Sequence, residues 1–244
     1  MKTNTKNVLF FILFTFVTLL GITTFLFLKN EFAKPKPQKT NTDELVTIVI
    51  DAGHGGEDGG AVGKNNVYEK DLNLSIALKI GKLLTEKGID VVHTRTEDVL
   101  LYDKNEDYKN KKKALDLAAR VKKAQETENC IFVSIHMNSF PQSQYSGLQV
   151  YFSKNNPQSA ILANEIQSAV KEQLQPQNKR KAVEATSSIY VLDRLECPAV
   201  LIECGFVSNF EECRLLSTEV YQKQLSEIIS QEIEKYVEKI QKPY

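Results

Sequence analysis

The stretch VTIVIDAGHGGEDGG at residues 46–60 joins a short β-branched run to a glycine-rich segment around His54. A β-branched run of this length is typical of a buried strand. Glycines without Cβ atoms let backbone and ligand approach the imidazole closely, although a plain flexible loop would explain them equally well. A phosphate-binding loop is excluded, because neither of its two defining glycine patterns is present. The stretch therefore predicts a strand that ends in a loop carrying a histidine.

Beyond this stretch, apolar strand-like runs alternate with amphipathic helical stretches. The predicted strands are Val46–Ile50, Ile89–His93, Ile131–Ile135, Leu148–Phe152 and Ala199–Ile202. The predicted helices are Leu72–Leu84, Leu115–Ala124, Ala160–Leu174, which Pro176 closes, and Val220–Ile240. Alternation of this kind predicts an α/β domain with a largely parallel central sheet and helices on both faces.

Composition limits the classes of protein to consider. The chain has 244 residues, of which 42% are hydrophobic and 25% charged, so one globular domain of moderate size with additional segments is expected. Lys and Arg together number 31, as do Asp and Glu, which gives a net charge of zero. Because the sequence has no basic patch with interleaved aromatic residues, nucleic acid is not an expected partner.

The N-terminal segment predicts a membrane anchor. Val8 to Leu28 contains no charged residue and is long enough to span a bilayer. No A-x-A cleavage site follows, which favours an uncleaved signal anchor over a cleaved signal peptide. More lysines follow the span than precede it, so the orientation in the membrane is inferred from the function and not from the flanking charges. The predicted organisation is a cytoplasmic stub and transmembrane helix at 1–28, a Pro/Lys-rich linker at 29–44 and a folded domain at 45–244.

Four residues that could bind a metal or take part in catalysis lie where predicted strands end or a predicted helix begins. His54 stands in the loop after the first strand, and Glu69 stands at the start of the first long helix. His136 and Glu203 directly follow the predicted strands that end at residues 135 and 202. In open α/β sheets, ligands bind outside the carboxyl ends of the strands. The four side chains are therefore expected at one edge of the sheet.

The residue types fit a catalytic metal site. Two imidazoles and a carboxylate are the ligand set of an open zinc site, and a second carboxylate can take the proton from a bound water. Taken singly, His136 could be a core histidine whose hydrogen bonds are made within the protein. Glu69 could be a carboxylate that stabilises a helix N-terminus through the helix dipole. Glu203 is the least ordinary, because a carboxylate that closes an apolar strand is costly unless it is paired or used in chemistry. His93 has no evident partner and is predicted to be structural.

The four cysteines form no C-x-x-C pair and no regular framework. Cys130 begins an apolar run and is interpreted as a small buried hydrophobic residue. Cys197 and Cys204 bracket the AVLIE run, where a disulfide or a thiol role stays open.

Several ordered motifs resemble the zinc-dependent N-acetylmuramoyl-L-alanine amidases of the amidase-3 family. These motifs are VIDAGHGGEDGGAVG at 49–63, YEKDLNL at 68–74, SIHMNS at 134–139 and PAVLIECGFVSN at 198–209. The resemblance implies one Zn²⁺ per chain bound by His54, Glu69 and His136, with Glu203 as the catalytic carboxylate. It also implies a mixed, mainly parallel central sheet flanked by helices, and hydrolysis of the amide between N-acetylmuramic acid and L-alanine in peptidoglycan.

Within that family, the small tethered plan without wall-binding repeats is similar to the spore cortex amidases of the CwlD type. Those enzymes remove stem peptides so that muramic-δ-lactam can form. The resemblance implies a monomeric catalytic domain outside the membrane, facing the cortex between the forespore membranes. Between Phe152 and Tyr190 there is room for one helix and a loop, so a long site-blocking helix is not evident. Dependence on a regulatory protein partner stays open.

Candidates for supporting or substrate-side roles are Asp51, Arg95, Ser134 and Asn138, each of which could equally be a turn, cap or surface ion-pair residue. Two rival functions stay open at this point. One is another zinc-dependent cell-wall peptidase, although its usual H-x-x-E pair is absent. The other is a non-catalytic, membrane-tethered domain that binds or regulates the wall.

Overall fold

The computed structural model describes residues 45–102 and 111–241, in which six strands form one sheet. The strands are β1 (Thr47–Ala52), β2 (Asp90–His93), β3 (Cys130–Asn138), β4 (Gln149–Phe152), β5 (Val183–Glu184) and β6 (Ala199–Phe206). Their order across the sheet is β2-β1-β3-β6-β4-β5. The first four strands in this order are mutually parallel, whereas β4 runs antiparallel to β6 and β5 runs parallel to β4. The predicted mixed, mainly parallel sheet is confirmed.

Helices cover both faces of the sheet, as predicted. They are α1 (Glu69–Glu86), α2 (Lys112–Gln125), α3 (Gln158–Gln173), α4 (Tyr190–Arg194), α5 (Phe210–Leu216) and α6 (Glu219–Gln241), with a 3₁₀ turn at Lys64–Asn66. On one face α6 packs between α1 and α3, and on the other face α2 packs against α4. The one long helix between β4 and α4 is α3, which agrees with the space expected there.

Side chains alternate along each strand and build a core on each face. Ile48 and Ile50 belong to the cluster under α1, α3 and α6, and Val49 belongs to the cluster under α2 and α4. All three are completely buried, and each contributes about 1.5–3 kcal/mol by leaving water. Because both faces are covered, the central strands read as continuous apolar runs and not as polar/apolar alternation.

The carboxyl ends of β1, β3 and β6 meet the amino ends of β4 and β5 at one edge, which we call the carboxyl edge. Three strands extend further toward this edge than predicted, because β1 continues to Ala52, β3 to Asn138 and β6 to Phe206. His136 and Glu203 therefore lie within strands and do not follow them. Backbone pairing continues past their polar side chains to Asn138 and Phe206, with a register shift between His136 and Asn138.

Other differences concern short elements and helix ends. The helix α1 begins at Glu69, three residues before its first predicted apolar position, and β5, α4 and α5 were not predicted. These three elements are too short to give a periodic pattern. In residues 45–102 and 111–241, no helix combines the length and apolarity needed to cross a membrane. The predicted anchor at 8–28 and linker at 29–44 lie outside the described residues and stay predictions.

The cysteines carry free thiols. Cys130 is buried in the core under α2 and α4, which confirms its prediction as a small hydrophobic residue. Its Sγ lies 3.4 Å from Sγ of Cys197, where β3 and the segment before β6 run side by side. Cys204 and Cys213 are also buried, and burial raises the pKa of the Cys204 thiol. The buried Cys204 therefore behaves as part of the apolar core.

Candidate active site

Three potential metal ligands meet at the carboxyl edge. His54, Glu69 and His136 each offer one ligand atom, and these atoms all lie within 4.8 Å of one another. Oε1 of Glu69 is 3.2 Å from Nε2 of His54 and 2.9 Å from Nδ1 of His136. The two imidazole rings stand edge to face, with centroids 5.0 Å apart. Two nitrogens and one carboxylate oxygen converging in this way can hold a metal ion and leave a position open.

The backbone at His54 has the left-handed conformation, with a φ of 61°. This conformation is uncommon for a residue other than glycine, and surrounding contacts must hold it. Gly55 and Asp58 exchange two backbone hydrogen bonds of 2.9 and 3.0 Å, which close the loop just after His54. The carbonyl oxygen of His54 accepts a hydrogen bond from Nη2 of Arg120 at 2.7 Å. The loop itself and Arg120 of α2 therefore orient the imidazole.

Two glycines make room for the ligand side chains. A Cβ atom at Gly53 would lie 2.2 Å from the His136 ring, and one at Gly60 would lie 2.6 Å from Oε2 of Glu69. Both distances are far below van der Waals contact, so a larger residue would displace a ligand. The site geometry thus requires glycine at positions 53 and 60.

Glu69 is fixed as the first residue of α1 and is only 4% exposed. Its Oε1 accepts a hydrogen bond from the backbone N–H of Met137 at 3.1 Å, and its Oε2 accepts one from Ala61 at 2.8 Å. Burial alone would raise the pKa of Glu69, but hydrogen bonds and charge from His136 and His54 hold it well below its ordinary value. The carboxylate is therefore ionised, which is the form that binds a metal.

Glu203 lies beside this cluster and has a different environment. It is the Cα partner of His136 across β3 and β6. Burial raises the pKa of its carboxyl group to about 7, and its Oε2 is buried without a hydrogen-bond partner among the described residues. A carboxyl group with a pKa near neutrality can both accept and return a proton, as general acid–base catalysis requires.

Three of the four side chains border one cleft. Its volume is about 250 Å³, and His54, His136 and Glu203 are part of its wall. The opposite wall comes from α2 and α4, through Leu117 and Tyr190. The cleft therefore lies on the face of the sheet that α2 and α4 cover, and a substrate entering it would reach all three of these polar side chains.

A buried network lies beneath the cleft. Oδ1 of Asp51 accepts hydrogen bonds from Nη1 of Arg120 at 2.6 Å and from the Thr94 hydroxyl at 2.7 Å, and Oδ2 accepts one from Ser134 at 2.6 Å. Arg120 also donates to Oδ2 of Asp116 at 2.7 Å. Burial alone would raise the pKa of Asp51, but Arg120 and Ser134 hold it below its ordinary value. The network ties the ends of β1 and β3 to α2.

The remaining candidates from the sequence occupy different places. Asp51 and Ser134 belong to the buried network. Arg95 is buried and donates to the carbonyl oxygens of Ala52 and Gly53 at 2.9 and 3.1 Å, so it supports the loop that carries His54. Asn138 lies beyond the irregularity in β3, outside the cleft wall, and its Oδ1 accepts a hydrogen bond from the next backbone N–H. His93 packs against Gly81 of α1, away from the cluster.

Sequence reasoning missed Arg120 and Asp116, which hold the network together. Their signal is an acid–base pair at i, i+4 spacing within α2, and both residues are buried. A surface pair at this spacing is common on helices, so only burial distinguishes this one. Asp58, whose Oδ2 lies 2.9 Å from Nδ1 of His54, was also missed although it stands in the glycine-rich stretch.

Comparisons with known proteins agree with this site. Residues 48–235 match the Amidase_3 family, described as N-acetylmuramoyl-L-alanine amidase. The germination-specific N-acetylmuramoyl-L-alanine amidase of Bacillus subtilis is 32% identical over 221 residues, which cover 91% of each chain. The CwlD amidase of Clostridioides difficile, solved in complex with the GerS lipoprotein, is 39% identical with a TM-score of 0.74. That match covers 79% of this chain and 98% of the other.

A further solved relative is the catalytic domain of CwlV, an N-acetylmuramoyl-L-alanine amidase from Bacillus (Paenibacillus) polymyxa. It is 31% identical with a TM-score of 0.66 over 80% of this chain and 99% of that domain. Sequence similarity, the sheet and the clustered side chains at its carboxyl edge thus point to the same activity. The chain belongs to the Amidase_3 family of N-acetylmuramoyl-L-alanine amidases and is a peptidoglycan amidase.

Proposed function

We propose that the chain is a zinc enzyme in which His54, Glu69 and His136 bind one Zn²⁺ and Glu203 transfers the proton. The observation that carries this proposal is the convergence of two imidazole nitrogens and an ionised carboxylate within 4.8 Å. This donor set fits zinc, because imidazole and carboxylate ligands with one open position are the usual catalytic arrangement. When bound there, the ion would supply a water of lowered pKa and a Lewis acid for the amide carbonyl.

The protein groups divide the remaining work. Glu203, with its buried and unpartnered Oε2, takes the proton of the attacking water and delivers it to the nitrogen of the departing L-alanine. The cleft wall from α2 and α4 excludes bulk water around that carboxyl group, and Arg120 keeps the carbonyl of His54 in place. Pre-set positions of this kind reduce the reorganisation needed during the reaction.

Digestion of purified peptidoglycan by the full-length protein tests this proposal. The reaction is run with added zinc and after chelation, and mass spectrometry identifies the products. We expect intact stem peptides with a free N-terminal L-alanine, together with glycan free of peptide, and only in the presence of metal. Peptides cut within the stem would instead indicate a different cell-wall peptidase. Equal digestion after exhaustive chelation would contradict the zinc assignment.

We also propose a role in the spore cortex, where removal of stem peptides precedes muramic-δ-lactam formation. Support comes from the similarity to the germination-specific amidase of Bacillus subtilis and to CwlD of Clostridioides difficile. The test is expression of the chain in a sporulating bacterium that lacks its own cortex amidase. Restored muramic-δ-lactam in the cortex muropeptides is the expected result, and a cortex still free of the lactam would contradict this role.

The location and regulation of the enzyme are proposals of the same kind. A peptidoglycan substrate requires the catalytic domain to lie outside the membrane, and the apolar segment at 8–28 would tether it there. Protease protection in intact cells tests this orientation. Because the related CwlD was solved with a lipoprotein, we propose that a protein partner regulates this chain as well. Full activity of the purified chain alone would contradict such dependence.

A further inference from the structure

A second cleft lies at the carboxyl edge, and it shares no lining residue with the cleft that His54, His136 and Glu203 border. Its volume is about 590 Å³, and its wall comes from residues 144–147, residues 174–180 and Glu212. The first two segments precede β4 and β5. Because β4 runs antiparallel to β6, its first residue Gln149 is the Cα partner of Glu203. The entrances of β4 and β5 therefore lie on the same edge as the catalytic candidates.

Arg180 presents a fixed guanidinium group at the wall of this second cleft. Its Nη1 donates to Oε1 of Gln149 at 2.8 Å, and its Nε donates to the carbonyl oxygen of Ser146 at 2.9 Å. The guanidinium carbon lies 4.5 Å from the centroid of the Phe206 ring and 5.9 Å from that of Tyr145. Stacking and two hydrogen bonds orient the group without using all its donors.

Among the residues that the structure describes, the remaining donors of this guanidinium have no acceptor. Within residues 45–102 and 111–241, no carboxylate oxygen lies within 4 Å of Arg180, and its Nη2 donates no hydrogen bond. The acidic residue of the same cleft is Glu212, whose two oxygens accept from the backbone N–H groups of Gly147 and Phe206 at 2.8 Å each. Lys179 and Lys181 flank Arg180 and are exposed. The rim of the cleft is therefore positively charged.

Arg180 lies close enough to Glu203 for one substrate molecule to contact both residues. Gln149 and Glu203 point to the same face from neighbouring strands, and Arg180 contacts the end of the Gln149 side chain. One strand spacing plus one side chain places the guanidinium on the order of 10 Å from the Glu203 carboxyl group. An extended peptide advances about 3.3 Å per residue, so two or three residues bridge this distance.

We propose that Arg180 binds a carboxylate of the stem peptide, on the leaving-group side of the amide that is cut. The inference rests on the proposed function, because it takes the peptidoglycan stem as the ligand. The stem begins with L-alanine at the scissile nitrogen and continues with residues that carry free carboxylates. A guanidinium held by stacking, with an unused Nη2, matches a planar carboxylate. Arg180 is thus a specificity-determining residue and takes no part in proton transfer.

Two synthetic ligands test the inference in the full-length protein. One is a stem peptide with all carboxylates free, and the other is the same peptide with every carboxylate converted to a carboxamide. Calorimetry measures the Kd of each peptide, and kcat/KM is measured on the same two peptides attached to N-acetylmuramic acid. The variants are Arg180→Gln and Arg180→Lys. Arg214→Gln on α5 is the matched control, because Arg214 pairs with the exposed Glu211 and lies outside both clefts at the carboxyl edge.

The wild-type protein is expected to prefer the free carboxylates by about tenfold or more, which is the contribution of a charge-assisted hydrogen bond. Arg180→Gln should remove this preference by weakening the binding of the free-carboxylate peptide, with little change in the Kd of the carboxamide peptide. Arg180→Lys should keep part of it, and the control should keep all of it. An equal loss on both ligands would mean a purely structural role and would overturn the inference.

The binding measurement separates this inference from the proposed function. A protein that binds the free-carboxylate peptide through Arg180 but cleaves no muropeptide would sink the proposed function and leave the inference standing. A protein that cleaves both substrates with the same ratio in wild type and Arg180→Gln would overturn the inference alone.

Discussion

Nη2 of Arg120 donates a hydrogen bond of 2.7 Å to the carbonyl oxygen of His54, a residue 66 positions earlier in the chain. The guanidinium group is buried, and the same side chain pairs with Asp51 at 2.6 Å and with Asp116 at 2.7 Å. The loop that carries the proposed ligand His54, whose backbone is left-handed, is therefore anchored by a charge network inside the fold. We therefore expect both the stability of the fold and the geometry of the site to depend on Arg120.

Replacement of Arg120 is expected to be severely destabilising. Arg120→Met leaves Asp51 and Asp116 buried without their counter-charge, which costs about 3–5 kcal/mol of unfolding free energy. Urea denaturation of chelator-treated protein measures this loss. The control Arg214→Met removes an exposed ion pair and should change the unfolding free energy by no more than about 0.5 kcal/mol. Equal midpoints for the two variants would contradict a supporting role of Arg120.

Asp51 should make stability depend on pH at the acid end. Its folded pKa lies below the ordinary value of 3.8, so the unfolded chain takes up the proton first as the pH falls. The stabilisation is fully present above that ordinary pKa and is lost as the pH falls through the folded pKa. Urea denaturation is measured between about pH 6 and pH 3, a range that includes the ordinary pKa of aspartate. The unfolding free energy should change less with pH in Asp51→Asn than in wild type. Identical slopes would refute the contribution of Asp51.

Gly53 should tolerate no side chain, because a Cβ atom would lie 2.2 Å from the His136 ring. Gly53→Ala is expected to displace that imidazole, reduce bound zinc and cost about 1–3 kcal/mol of stability. Gly88→Ala is a control with the same chemical change, since no atom lies within 4 Å of its added Cβ and only its positive φ is strained. Zinc analysis and thermal denaturation of both variants separate local strain from damage to the site.

The three histidines provide an internal comparison for metal binding. His54→Ala and His136→Ala should each lower the zinc content of the purified protein well below one ion per chain. His93→Ala should keep a full complement, because His93 packs against Gly81 and is not part of the cluster. Atomic absorption measures the metal, and circular dichroism confirms that each variant is folded. Full zinc content in the first two variants would refute the ligand assignment.

Glu203→Gln should separate chemistry from metal binding. The amide has the shape of the carboxyl group but accepts no proton, so turnover should fall by about 10²- to 10⁴-fold. Zinc content should stay at the wild-type level. Glu219→Gln, at an exposed position in α6, should keep full turnover. Wild-type turnover in Glu203→Gln would exclude Glu203 as the proton-transfer group.

The sequence was sufficient to predict the edge of the sheet at which the chemistry gathers. His54, His136 and Glu203 follow or end apolar runs, and parallel strands bring their carboxyl ends together. Glu69 was predictable because a helix start faces that same edge. Their separate chemical roles came from the resemblance of the motifs to a family, since spacing alone does not distinguish a ligand from a proton acceptor.

The supporting contacts were harder to predict, for a physical reason. Arg120 contacts Asp51 across 69 positions, and the pattern of one helix does not reveal its partner on a distant strand. Arg180 gave no signal because its position near Glu203, through its contact with Gln149, depends on β4 running antiparallel to β6. Such long-range contacts follow from topology, which local periodicity does not determine.

The reversed strand β4 has a consequence for how such an enzyme can diversify. The carboxyl edge receives the exits of four strands and also the entrances of β4 and β5. Substitutions or insertions in residues 139–148 and 174–182 would therefore change what surrounds the substrate while the segments that carry the proposed ligands His54, Glu69 and His136 stay the same. Evolution, or an engineer, can exchange selectivity at the entrances without disturbing the reaction at the exits.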